Sequence, residues 1–179
     1  SFGYSQKKEL RNANKFYDSG EFSSALDLLE SSKVLFDSSD DKVKSQQMLL
    51  YGKIHTSMQD FSLAMEAFNI SKDLGISSDQ LGPELMRLEN LIITNAIADQ
   101  ESGNSLDAAI KLKMAYDLNP EVNQDYLYFA AGNAVNSINY SLALEYYLLL
   151  RDINYDGVTT KFYITEVESG NEIEISSED

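Results

Sequence analysis

Small and apolar residues recur along the chain with helical spacing and divide most of it into four similar segments. Each segment has a small residue, a turn, an Ala anchor and then a bulky residue four positions later. Because residues four apart lie on one face of a helix, this pattern predicts two packed helices per segment. The small residues are Ala13, Gly52, Ala96 and Ala131, the anchors are Ala25, Ala64, Ala108 and Ala143, and the bulky residues are at 29, 68, 112 and 147.

The helices of each segment are separated by a short turn, which predicts antiparallel neighbours. No such pair buries its apolar face alone, so we expect the pairs to stack around a continuous core. Residues 37–44 and 75–83 are rich in Ser, Asp and Gly and are predicted to be linkers. The predicted pairs are 7–18 with 22–36, 43–58 with 61–73, 84–101 with 105–117, and 123–137 with 140–152.

The A-x-x-x-F or Y ending of the segments, and the Pro120 that closes the third, resemble the tetratricopeptide repeat, a helix–turn–helix unit of about 34 residues. The match covers about residues 7–155. Three departures are clear: the chain has no Trp, Ser105 replaces the usual aromatic residue, and the anchors stand 39, 44 and 35 residues apart. The resemblance implies an all-α fold, a right-handed α–α superhelix of about four units over residues 6–155, and a non-catalytic role in binding proteins.

In the family, the first helix of each unit lines a concave groove. Carried over to this chain, the groove positions are Leu10, Asn14, Tyr17, Leu49, Lys53, Thr56, Ile93, Ile97, Gln100, Tyr128 and Val135. Of the basic and amide positions in the family's chaperone-tail-binding members, the chain keeps Asn14 but has Leu10, Leu50, Asn90 and Thr94 at the others. The groove is therefore expected to be apolar and to accept an amphipathic helix or an extended peptide. The alternative is that the apolar positions pack between units.

Beyond the repeats, residues 158–175 are rich in Val, Thr, Phe, Tyr and Ile, which favour strands. We predict a β-hairpin with its turn at residues 169–171. The segment 156–179 is thus interpreted as a hairpin and an acidic tail that lead into a missing C-terminal region.

The last predicted helix is apolar at every position of residues 142–150 except Glu145. A solenoid normally ends on a helix with one polar face. Either the hairpin covers the second apolar face or the natural chain continues, and we favour continuation. An alternative function follows from the same residues: assembly, with a homodimer formed through residues 142–163.

Composition excludes several classes of function. The net charge is −15, with 29 acidic against 14 basic residues, which disfavours nucleic acids and anionic membrane surfaces. No apolar run approaches the roughly 20 residues of a membrane-spanning helix. There is no Cys, only one His, and no phosphate-binding glycine motif. We therefore predict no enzyme activity, no cofactor, no metal site, no membrane insertion and no nucleic-acid partner.

A few residues still fit catalytic or metal-binding patterns. Residues 152–157 read D-x-N-x-D-G, the start of a calcium loop, but its twelfth position is Tyr163 where a bidentate Glu is expected. A calcium-dependent or enzymatic module that uses Asp152 and Asp156 is kept as an alternative to a helix end with turn residues. His55 is interpreted as a packed side chain. Asp99 and Glu101, two residues apart in sequence, are interpreted as part of a solvated acidic surface.

The first five residues are interpreted as a signal-peptide remnant, because Gly3 and Ser5 are small residues two apart and polar sequence follows at once. The alternative is an arbitrary start with a frayed end. With the repeats, the remnant resembles tetratricopeptide proteins exported to the envelope of Gram-negative bacteria. The expected location is periplasmic or in the cell envelope, and otherwise cytoplasmic.

Overall fold

The computed structural model describes residues 2–157, 162–165 and 172–175. Within these ranges the fold is all-α apart from one pair of short strands. The nine helices of the described residues are α1 (Phe2–Asp18), α2 (Phe22–Ser31), α3 (Lys33–Asp37), α4 (Asp41–Met58), α5 (Phe61–Asp73), α6 (Ser78–Glu101), α7 (Ser105–Leu118), α8 (Gln124–Asn136) and α9 (Tyr140–Asp152). Residues 2–5 are part of α1. Their helical conformation does not test the interpretation of residues 1–5 as a signal remnant, which stays a prediction.

Four turns between paired helices share one backbone geometry. One residue in each turn has a left-handed conformation, with φ between 62° and 80°: these residues are Gly20, Gln59, Gly103 and Ile138. The following N–H donates to a carbonyl five residues earlier, at 2.7–3.0 Å, in all four turns. This bond satisfies a carbonyl that the end of a helix leaves free. The turns thus repeat in structure although their sequences differ.

The interior consists of three apolar clusters that follow one another along the chain. The first joins α1 to α4, the second joins α4 to α7, and the third joins α6 to α9. Helix α4 gives Leu50 and Ile54 to the first cluster and Leu49 to the second. Because helices are shared in this way, neighbouring clusters form one continuous core. All eight small and Ala anchor positions of the sequence pattern are buried.

Gly52 shows why the anchors are small. Its Cα lies so close to the ring of Phe68 in α5 that a Cβ atom at this position would overlap three ring carbons. Phe68 is itself fully buried. The absence of a side chain on Gly52 therefore allows α4 and α5 to pack at this distance.

Four predicted boundaries are wrong. The predicted helix 7–18 already begins at Phe2, and the predicted linker 37–44 is helical from Asp41 onward, in α4. The predicted helix 22–36 is interrupted at Ser32, which separates α2 from α3. The Ser31 hydroxyl donates to the Leu28 carbonyl at 3.1 Å, a local bond that competes with the helix. The predicted linker 75–83 is helical from Ser78 onward, with Pro83 in the second turn of α6. Leu81, which precedes this Pro, is buried in the second cluster and keeps the first turn of α6 on the core.

The fourth unit departs from the pattern in one side chain. Positions 29, 68 and 112 are buried as predicted, but Tyr147 is exposed and Tyr146 is buried instead. In the first three units a helix of the next unit covers the bulky residue. Within the described residues no helix follows α9, so Tyr147 has no such cover.

Strands β1 (Phe162–Thr165) and β2 (Glu172–Ile175) pair antiparallel. Phe162 is opposite Ile175, and Thr165 is opposite Glu172. The turn predicted at residues 169–171 lies outside the described residues. A hairpin that joins the strands, and its packing on the last helix, stay predictions.

Candidate functional site

An arginine bridge connects the first helices of three successive units. Arg87 of α6 donates from Nη1 to the Tyr17 hydroxyl of α1 and from Nη2 to the Ser57 hydroxyl of α4, both at 2.9 Å. Tyr17 and Arg87 are 70 residues apart in sequence. The fold therefore brings α1, α4 and α6 together on one face, which we call the first-helix face.

The charges on this face are partly compensated. Lys53 lies with its Nζ 4.7 Å from the ring centroid of Tyr17 and 3.8 Å from a carboxylate oxygen of Glu84. The other Glu84 oxygen is 3.9 Å from Arg87. Ion pairs this exposed contribute little stability, about 0–1 kcal/mol each. They nevertheless hold two cations and one carboxylate close together on the first-helix face.

An apolar surface begins beside the arginine bridge. A shallow cavity of about 550 Å³ on α6 is lined by Pro83, Met86, Arg87, Asn90, Leu91 and Thr94. Farther along α6, Ile97 is half exposed, and on α8 the rings of Tyr128 and Phe129 are exposed to a similar degree. Exposed apolar residues thus occur on α6 beyond the arginine bridge and on α8.

The C-terminal end carries a second aromatic surface. A cavity of about 480 Å³ is lined by Tyr128, Tyr147, Leu150, Arg151, Tyr155, Asp156 and Gly157. The Tyr155 hydroxyl donates to Asp125 at 2.6 Å, and this hydrogen bond, with partial burial, raises the pKa of Tyr155 to about 12. Its ring also contacts Tyr128, with centroids 5.9 Å apart. These contacts hold the segment after α9 against α8.

The predicted groove residues fall into four groups, of which the last is buried. Tyr17 and Lys53 lie together at the arginine bridge, and Ile97, Gln100, Tyr128 and Val135 are exposed. Leu10, Asn14 and Ile93 are partly buried, and the Asn14 amide donates to the Leu10 carbonyl at 2.8 Å.

Leu49 and Thr56 are buried, so their prediction as groove residues needs correction. Leu49 belongs to the second core cluster. The Thr56 hydroxyl donates to the Gly52 carbonyl at 2.7 Å inside α4. Both side chains face the packed side of the helix, where a ligand does not reach them.

The sequence interpretation did not include Ser57, Glu84 and Arg87 in the groove. The spacing of Glu84 and Arg87, three apart on a helix, was a visible signal for an ion pair on one face. Their partners on α1 and α4 were not visible, because these contacts depend on how separate units stack.

The residues that fit catalytic patterns have structural partners. His55 lies with Nδ1 3.3 Å from Asp60, and its ring stacks on Tyr51 with centroids 6.1 Å apart. Asp99 is paired with Lys111. Asp152 accepts hydrogen bonds from Arg151 at 2.7 and 2.9 Å. Over the described ranges, no group of three or more His, Cys, Asp or Glu residues is placed to hold a metal ion.

No protein-family model matches the chain, and no curated protein matches it at a significant level. In the part of the chain that the structure describes, no helix is both long enough and apolar enough to cross a membrane. The function is therefore argued from the geometry of the first-helix face.

Proposed function

We propose that the protein is a non-catalytic interaction module that binds a peptide or helix of another protein along its first-helix face. In this proposal the helix pairs form a right-handed superhelix of four tetratricopeptide-like units, with the first helices on the concave side. Support comes from the repeated turn geometry, the buried small anchors and the succession of shared clusters.

One observation carries the proposal: the arginine bridge places α1, α4 and α6 side by side, and exposed apolar residues lie farther along α6 and on α8. Ile97 and Tyr128 offer apolar contacts to a partner. Arg87 and Lys53 offer cationic groups to its acidic or carbonyl oxygens. An amphipathic helix with apolar residues on one side and an acidic residue near one end matches this arrangement.

The test compares two matched substitutions in pull-downs from the natural source, with the retained proteins measured by quantitative mass spectrometry. Ile97→Glu places a charge on the first-helix face, where Ile97 is 50% exposed. Ile110→Glu makes the same change on α7, where Ile110 is 44% exposed. A partner retained by the parent and by Ile110→Glu, but lost with Ile97→Glu, supports the proposal. Partners that are lost equally from both variants, or from neither, contradict it.

A second candidate function is self-assembly through α9, within the predicted interface of residues 142–163. The observation that favours it is a row of exposed apolar residues on this helix. They are Tyr140, Leu144, Tyr147 and Leu148. Sedimentation velocity over a wide concentration range tests it: a dimer that Leu144→Glu dissociates supports assembly, and a monomer throughout argues against it.

For the location of the protein, we propose the periplasm or cell envelope of a Gram-negative bacterium, on the basis of the repeat resemblance. Fractionation of source cells with an antibody against the protein tests this. Recovery in the cytoplasmic fraction alone would refute export.

A further inference from the structure

A third cavity lies away from the arginine bridge, between α2, α3, α4 and α5. Its volume is about 550 Å³, within the range of sites that hold small ligands or single anchoring groups. None of its lining residues belongs to the first-helix face. The lining residues are Glu30, Lys33, Phe36, Asp37, Lys44, Gln47, Met48, Tyr51, Ile70 and Leu74.

The wall of this cavity contains an amide without a partner. Gln47 is only 7% exposed, yet in the described part of the chain its side chain makes no hydrogen bond. Its neighbour Gln46, by contrast, donates to Gln80 at 3.1 Å. Among the described residues Asn133 Oδ1 is the one fully buried side-chain polar atom without a partner, so the Gln47 amide is open to the cavity and has its hydrogen-bonding groups free for a partner there. Because Gln47 lines the cavity, a ligand there is able to supply that partner.

The remaining walls are apolar or neutral. Phe36, Met48, Ile70 and Leu74 form an apolar surface. Burial, followed by the charge of Glu30, raises the pKa of Tyr51 to about 12, so its hydroxyl is neutral at physiological pH. A ligand with an apolar body and neutral hydrogen-bonding groups matches this lining.

The charged residues of the cavity favour neither an anion nor a cation. Lys33 and Lys44 balance Glu30 and Asp37, and among the described residues none of the four forms an ion pair. A neutral ligand is therefore favoured. The Gln47 amide has both a donor and an acceptor, the same pair that a peptide group presents.

We propose that this cavity binds an extended peptide segment of a partner protein, through one apolar side chain and the adjoining backbone amide. The apolar side chain packs against Phe36, Met48 and Ile70. The Gln47 NH₂ donates to the peptide carbonyl, and the Gln47 carbonyl accepts from the peptide N–H. The site is independent of the first-helix face, so the chain has two peptide-binding surfaces.

The test uses the full chain labelled with ¹⁵N and titrated with N-acetyl-L-leucine amide, the smallest neutral mimic of an apolar residue in a peptide. We expect saturable shifts of the Gln47 side-chain NH₂ signals and of backbone amides in α4 around Met48. Gln47→Leu is expected to weaken binding about tenfold, since it removes both hydrogen bonds. Gln46→Leu, one residue along the same helix and outside the cavity, should leave the affinity unchanged.

Thermal melts separate binding from folding. Gln47→Leu should melt no lower than the parent, because among the described residues the Gln47 amide has no hydrogen-bond partner to lose. Ile70→Trp, at a partly exposed position of the lining, should fill the cavity and abolish the shifts while the fold is kept. Three results would overturn the proposal: no saturable binding, equal binding by Gln47→Leu, or tighter binding of free leucine, a zwitterion, than of the capped amide.

Discussion

Gly52→Ala tests whether close approach of α4 and α5 determines the packing of the second unit. The added Cβ would overlap the ring of Phe68, which is 1% exposed and so is enclosed by the protein. The ring, the helices or both must shift. We therefore expect the substitution to destabilise the protein relative to an alanine placed in open space.

Two opposing effects set the magnitude. Replacing Gly by Ala inside a helix stabilises by up to about 1 kcal/mol. Overfilling a packed core costs about 1–3 kcal/mol. Gly132 in α8 isolates the first effect, because a Cβ there meets no atom within 4 Å. Gly132→Ala should therefore be more stable than the parent, and Gly52→Ala should be about 1–3 kcal/mol less stable than Gly132→Ala.

The assay is urea unfolding followed by far-UV circular dichroism, with the free energy of unfolding extrapolated to water. A second background sharpens it: in Phe68→Leu the ring is gone, so the additional cost of Gly52→Ala should shrink. If Gly52→Ala and Gly132→Ala stabilise the protein equally, the inference that a side chain at position 52 collides with Phe68 is refuted.

Three further substitutions test local features. Ile138→Gly should stabilise the protein by about 0.5–1 kcal/mol. Ile138 has φ 62° and is 73% exposed, so the variant relieves backbone strain and loses little buried surface. A lower melting temperature would contradict this. Asp40→Ala should lower the free energy of unfolding by about 1 kcal/mol, because the Asp40 carboxylate caps α4 by accepting a hydrogen bond from the Val43 N–H at 2.8 Å. Asp41→Ala is the control in the same melting assay. Tyr155→Phe should lower the free energy of unfolding by about 1 kcal/mol near neutral pH, because it removes the hydrogen bond to Asp125. Because the pKa of Tyr155 is raised from 10.0 to about 12, its contribution is complete below pH 10 and disappears as pH rises towards 12. The parent should lose more stability than Tyr155→Phe across that interval, and parallel curves would refute the assignment.

Much of the helical organisation was predictable from the sequence, since it depends on local spacing. The small anchors and the short turns set four helix pairs, and most helix ends agree within a few residues. The break at Ser32 and the helical start at Ser78 were not predictable. Both depend on which apolar residues find a neighbour: Phe36 holds α3 on the first cluster, and Leu81 holds the start of α6 on the second.

The candidate site was harder to predict than the fold. Position within a repeat predicted Tyr17 and Lys53 as groove residues, and in the structure Lys53 Nζ lies 4.7 Å from the centroid of the Tyr17 ring. It did not distinguish Thr56, which is buried, from Ser57, which faces the arginine bridge one residue later. Successive residues on a helix point about 100° apart, so the orientation of α4 decides between them, and Leu50 and Ile54 fix that orientation by packing in the first cluster.

The sharing of helices between clusters limits how the chain tolerates excision and shuffling. Ending the polypeptide after α5 would leave Leu49, Phe61 and Phe68 without the α6 residues Leu88 and Ile92 that cover them. A cut at any boundary between helix pairs similarly opens a buried surface, so transplanting a single pair into another protein should yield an insoluble product unless the next helix is carried with it.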